Sequence, residues 1–144
     1  MSSNFQAESS KSGNEFEIAV AQELSALYDL DDDEIDKITL PDLGIELDYF
    51  ILTDDGAEAG EAKGGRPGPK KRPGAERTDN VKKAIANGAI LQHVIPDLKY
   101  VVYFSAPPKA GSSSDRMLDH ALDAGFINEV RYLNPYTLLT NESI

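Results

Sequence analysis

The sequence predicts an α/β fold, a mixed β-sheet flanked by helices in the order α-β-β-β-α-β-α-β. Three observations carry this. Phe16, Val20, Leu24 and Leu27 recur at helical spacing. Residues 45–52 are largely apolar and end on Thr53-Asp54-Asp55-Gly56, a turn with glycine where a positive φ is needed. Residues 99–105 (KYVVYFS) form a continuous apolar run rich in β-branched and aromatic residues, as in a central strand.

Each element has its own signal. Residues 1–12 are polar and Ser-rich and read as a disordered tail. Ser12 to Glu15 fits a capping box, in which Ser12 accepts from the N3 amide and Glu15 reaches back, so a helix runs from about 13 to 28. The acidic run 31–34 is a solvated connection, and 35–40 is a short edge strand stopped by Pro41. In strand 45–52, Leu47, Tyr49 and Ile51 share one face; Glu46, Asp48, Phe50 and Leu52 share the other. Residues 57–63 pair back as a hairpin strand, with Ala57, Ala59, Glu61 and Lys63 on one face. Residues 64–74 (GGRPGPKKRPG) hold three Pro and four Gly and open a flexible basic loop, 64–77. A second helix, from 78 or 79 to about 93, carries the stripe Val81, Ala84, Ile85, Gly88, Leu91 and Ile95. A third, about 114–124, closes on Gly125 at C′ with Phe126 placed for the accompanying apolar contact. Residues 129–133 form a last strand, and 134–144 receive no assignment. The expected organisation is one domain, 13–144, behind the tail.

Composition narrows the chemistry. The chain has 144 residues, enough for one core. It carries 14 basic and 25 acidic residues, a formal net charge of -11, which excludes a broadly basic nucleic-acid coat. There is no Cys, so disulfides, thiolate catalysis and Cys-based zinc sites are excluded. Only His93 and His120 are present, and both read as helix-surface or core-edge residues. No apolar targeting segment or membrane-length run is visible, so the expected location is cytoplasmic, with no membrane partner and no small-molecule cofactor.

The residues that can carry chemistry are Asp48, Glu61 and Lys63. Two acid-x-Lys triplets occur, Glu61-Ala62-Lys63 and Asp97-Leu98-Lys99, no more than chance supplies in so acidic a chain. Context separates them. Asp48 sits mid-strand in an apolar segment, where an unpaired charge is expensive. Glu61 and Lys63 have period-two spacing, and a hairpin can place Asp48 beside Glu61. Two converging carboxylates repel unless a cation lies between them. Hard oxygen ligands completed by water and phosphate suit Mg²⁺, with Mn²⁺ as a substitute. Such an ion polarises a phosphodiester and acidifies its bound water, while Lys63 positions that water or stabilises charge on the phosphate. The plain alternative is a cross-strand ion pair between Asp48 and Lys63.

The helix with Gly13-Asn14-Glu15-Phe16-Glu17, the Asp48 strand, the Glu61-Ala62-Lys63 strand and the helix and strand that follow resemble the PD-(D/E)xK nuclease superfamily over residues 13 to about 133. That superfamily includes restriction endonucleases, Holliday-junction resolvases and repair nucleases. The resemblance implies a restriction endonuclease-like αβββαβ(αβ) core. It implies Asp48 and Glu61 as metal ligands, the Ala62 carbonyl as a further ligand and Lys63 as the catalytic lysine. Glu17 matches the acidic residue often found on the first helix, where the resemblance implies that it supports the metal site as part of the catalytic set; it also reads simply as a solvent-facing helix acid. Leu47 stands where the motif name has Pro.

Charge is distributed unevenly. Residues 63–83 hold Lys63, Arg66, Lys70, Lys71, Arg72, Arg77, Lys82 and Lys83 against only Glu76 and Asp79, whereas 1–62 hold 17 acids against Lys11 and Lys37. Lys82 and Lys83 fall in the first turn of the second helix, where the macrodipole disfavours cations unless an anion binds there. The resulting expectation is an Mg²⁺-dependent endodeoxyribonuclease whose basic loop, from Arg66 to Lys83, closes on DNA. A homodimer is expected, because cutting two strands generally needs two sites. The alternatives are a non-catalytic nucleic-acid-binding or regulatory module on the same fold, and an acidic protein whose residues 1–62 dock a basic partner.

Overall fold

A computed structural model of the chain describes residues 14–136 and the backbone of 8–10. The fold is α/β. Six strands form one sheet in the order β1-β2-β3-β4-β5-β6, with β1 Glu8–Ser10, β2 Asp36–Leu40, β3 Ile45–Thr53, β4 Gly56–Lys63, β5 Lys99–Phe104 and β6 Glu129–Tyr132. Strands β1 to β4 are antiparallel to their neighbours; β4, β5 and β6 are parallel. Helices α1 Glu15–Tyr28, α2 Thr78–Val94 and α3 Ser113–Ala124 complete the order. From α1 onward this is the sequence of elements read from periodicity.

The sheet separates two apolar cores. On one face Phe16, Val20 and Leu24 of α1 pack on Ile35, Tyr49, Ile51, Val101 and Tyr103. On the other, Val81, Ala84 and Leu91 of α2 and Leu118 and Ala121 of α3 pack on Leu47, Ala59, Tyr100, Val102 and Phe104. Strand β5 alternates between the cores and is buried on both faces, as its continuous apolar run predicts. Helix α3 ends on Gly125 in the left-handed region (φ 78°), and the Phe126 amide donates to the Ala121 carbonyl at 3.0 Å.

Four local expectations are corrected. The N-cap of α1 is Asn14, not Ser12; its side chain accepts from the Glu17 amide at 2.8 Å, leaving Glu15 outside a reciprocal box. Glu8–Ser10, expected within a disordered tail, pair with β2, so β2 is not the edge. The acidic connection holds a 3₁₀ turn, Asp32–Glu34. Strand β3 does not keep one alternation. Asp36 pairs with Phe50 and Ile38 with Leu47, so Asp48 and Tyr49 together oppose the single Lys37. This β-bulge flips the pattern: Ile45 and Leu47 enter the α2–α3 core, and Tyr49 and Ile51 enter the α1 core. Among the described residues no helix is long and apolar enough to cross a membrane.

Candidate functional site

The bulge decides where Asp48 goes. The β3–β4 ladder ends at Tyr49 opposite Gly60. Just past that pair, the Ala62 amide donates to Asp48 Oδ2 at 2.8 Å, so the side chain takes the place of a ladder partner where the strands part. Glu61, 3% exposed, reaches toward α2. Its Oε1 accepts from Asn87 at 3.1 Å and lies 3.5 Å from Lys63 Nζ; its Oε2 bonds the Tyr100 hydroxyl. That hydroxyl also lies 3.0 Å from the Ala84 carbonyl oxygen.

On the α1 side, Glu17 is buried in the first helical turn and does not face solvent. It is aimed by the N-cap, whose amide Nδ2 donates to Glu17 Oε2 at 2.8 Å. Lys37 joins this group to the strands. Its Nζ lies 3.6 Å from Glu17 Oε2, 3.5 Å from Glu46 Oε1 and 4.0 Å from Asp48 Oδ1. Burial alone lowers the Lys37 pKa, but these three carboxylates outweigh it and hold the ammonium above its ordinary value. Burial pushes the Asp48 carboxyl up to about 7; the Ala62 amide opposes the rise, the negative Glu17 and Glu61 add to it, and Lys63 opposes it.

Asp48, Glu61, Lys63 and Glu17 are therefore gathered around the parting of β3 and β4, but the two strand carboxylates are held by different groups: Asp48 by Ala62 and Lys37, Glu61 by Asn87 of α2 and Tyr100 of β5. Among the described residues no three acidic or His side chains are grouped so as to hold a metal ion. The donor chemistry nevertheless fits a hard divalent cation. Asp48 and Glu61 each have one oxygen anchored by a neutral donor, Ala62 N–H or Tyr100 O–H. The other Asp48 oxygen faces the Lys37 ammonium, and the other Glu61 oxygen is shared by Asn87 and the Lys63 ammonium. Lys37, Asn87 and Tyr100 escape motif reasoning, and Asn14 enters it without its role as the N-cap that aims Glu17. Lys37 alone had a signal, as one of only two cations among the first 62 residues.

Beside this group lies a cleft of about 830 Å³ walled by Arg66, Lys70, Lys71, Arg72 and Arg77. Its loop is pinned at the base. Pro73, Gly74 and Ala75 are buried, Gly74 donates to the Gly64 carbonyl at 3.2 Å, and Ala75 donates to the Ala106 carbonyl at 2.9 Å. Arg66 is paired with Glu15 at 2.7 Å and Arg77 with Asp79 at 3.2 Å, while residues 65–72 are exposed. Lys82 lines a different groove, between α2 and α3 with Ile85, Met117 and Phe126, and Lys83 is exposed. No family model, curated protein or solved structure matches the chain.

A second charged cluster is structural. Glu58, 2% exposed, accepts from Tyr28 at 2.6 Å and Tyr49 at 2.7 Å, and pairs with Arg131 at 3.1 Å. Arg131 also pairs with Glu129 at 2.8 Å and donates to the Tyr103 hydroxyl at 2.9 Å. Lys99, of the second acid-x-Lys triplet, pairs with Glu129 at 3.0 Å. The buried polar side chains here all have hydrogen-bond partners, and the cluster ties α1 to β4, β5 and β6.

Proposed function

We propose that the protein is a metal-dependent endonuclease that hydrolyses DNA phosphodiester bonds, on a restriction endonuclease-like core of the PD-(D/E)xK type. The observation that carries this is the gathering of Asp48, Glu61 and Lys63 where β3 and β4 part, beside a basic cleft. Asp48, Glu61 and the Ala62 carbonyl would hold Mg²⁺ or Mn²⁺, which supplies charge neutralisation at the phosphate and acidification of a water. The chain's own groups do the rest. Lys63 is kept beside Glu61 and places its ammonium to stabilise negative charge developing on the phosphate oxygens. Glu61 is oriented by Asn87 and Tyr100. Lys70, Lys71 and Arg72 hold the nucleic-acid backbone, and a symmetric dimer brings a second site to the second strand.

A cleavage panel tests the proposal: supercoiled plasmid, linear duplex, single strand, four-way junction and RNA, each with Mg²⁺, Mn²⁺ or chelator. Metal-dependent cutting of at least one DNA substrate is expected. A specific observation favours a second reading, a non-catalytic nucleic-acid-binding module. Lys37 and Lys63 already neutralise the carboxylates internally. DNA binding without cutting of any substrate selects it.

A further inference from the structure

Lys37 occupies an unusual position. It projects from β2 opposite the bulge, and its side chain is 21% exposed. Three carboxylates from two elements surround its Nζ: Glu17 of α1 at 3.6 Å, and Glu46 and Asp48 of β3 at 3.5 and 4.0 Å. An ammonium is a compact, strongly hydrated point charge on a flexible stem. It therefore satisfies an acidic group much as a hard metal ion does, without being a permanent ligand. Of the three carboxylates, Asp48 is the one that the proposed metal site shares.

We infer that Lys37 is a tethered counter-ion that holds the cation position of the Glu17–Glu46–Asp48 group, and that a divalent metal enters at Asp48 only as the ammonium swings away. This rests on the metal-dependent reading above. Two features make the exchange feasible. The Asp48 contact is the longest of the three, so the ammonium can leave Asp48 first. Glu46 is 58% exposed and lies on the same strand, so it can retain the ammonium at the rim while Asp48 turns to metal. Lys63 differs, since its partner Glu61 is buried and anchored by Asn87 and Tyr100. The protein thereby keeps its acidic group satisfied without metal, at the expense of metal affinity.

The test is calorimetric titration of the full chain with Mn²⁺, without DNA, for the wild type, Lys37→Met, Lys37→Arg and Asp48→Asn. Lys37→Met should bind Mn²⁺ at least about tenfold more tightly than the wild type, the size of an ordinary coupling between two linked sites. Lys37→Arg keeps the charge and should stay near the wild type. If Lys37→Met is unfolded in chelator, its circular dichroism should recover with Mn²⁺ but not with NaCl of equal ionic strength; no recovery overturns the inference. Equal or weaker Mn²⁺ binding by folded Lys37→Met, with binding abolished in Asp48→Asn, overturns the role of Lys37 and leaves the metal site standing. No Mn²⁺ binding by either the wild type or folded Lys37→Met overturns both.

Discussion

At the scale of single residues, the charged groups of the two clusters behave oppositely with pH. Asp48 has its carboxyl pushed up to about 7 from 3.8. The folded state then binds the proton more tightly than the unfolded chain, so this contribution to stability is present below about pH 4 and is lost as pH rises toward 7. Glu129 has its carboxyl pulled down to about 2 from 4.5, chiefly by the Arg131 hydrogen bonds. Its contribution is present above about pH 4.5 and is lost as pH falls toward 2. Asp48→Asn should therefore be more stable than the wild type at pH 8, with the difference shrinking toward pH 4. Urea unfolding at both pH values measures this. Glu58→Gln should cost about 3 kcal/mol at most, because it removes the buried carboxylate partner of the half-buried Arg131 while Glu129 still pairs with it. Asp48, Glu61 and Lys63 were legible because charged residues in apolar strands need a reason to be there. Tyr100 was not, since its ring belongs to the core and only its hydroxyl reaches Glu61.

At the scale of elements, ladder and loop geometry set the site. Apolar patterning and turn signals placed every strand and α-helix from α1 onward, because both are local information, but neither showed the 3₁₀ turns Asp32–Glu34 and Gly74–Glu76. Patterning missed the bulge, because an extra residue opposite Lys37 is a property of the pairing and not of either strand. The same holds for β1, a three-residue polar strand with no alternation to detect. The basic loop was legible from Pro and Gly content, but its buried base was not. Gly74 adopts φ 56°, and a Cβ there would lie 2.8 Å from the Ala106 carbonyl oxygen. Gly74→Ala should therefore destabilise the fold by more than the roughly 1–2 kcal/mol of left-handed strain alone, a loss that thermal unfolding detects. Replacing Lys70, Lys71 and Arg72 by Ala should weaken DNA binding and flatten its salt dependence, by roughly 0.9 in log–log slope for each phosphate no longer neutralised. Affinity equal to the wild type at low and high salt would contradict a phosphate-binding role.

At the scale of the whole molecule, the net charge of -11 conceals a division. The first 62 residues, with 17 acids, carry the proposed ligands, and the basic cleft adjoins them. A uniformly charged surface of that sign would repel DNA; a local basic wall beside an acidic group accords with the metal-assisted phosphodiester hydrolysis proposed above. Double-strand cutting should accompany a dimer, which light scattering at working concentration reports. In the proposed reaction Lys63 acts on a phosphate beside a metal held by Asp48 and Glu61. The most direct measurement of this is the cleavage rate of DNA in Mg²⁺ for the wild type and Lys63→Ala, with binding affinity measured in parallel. The expected result is a fall of about 10²–10³-fold in rate with binding largely retained, and no wild-type cutting in chelator. Equal rates for the two proteins, or wild-type cutting that persists in chelator, would contradict it.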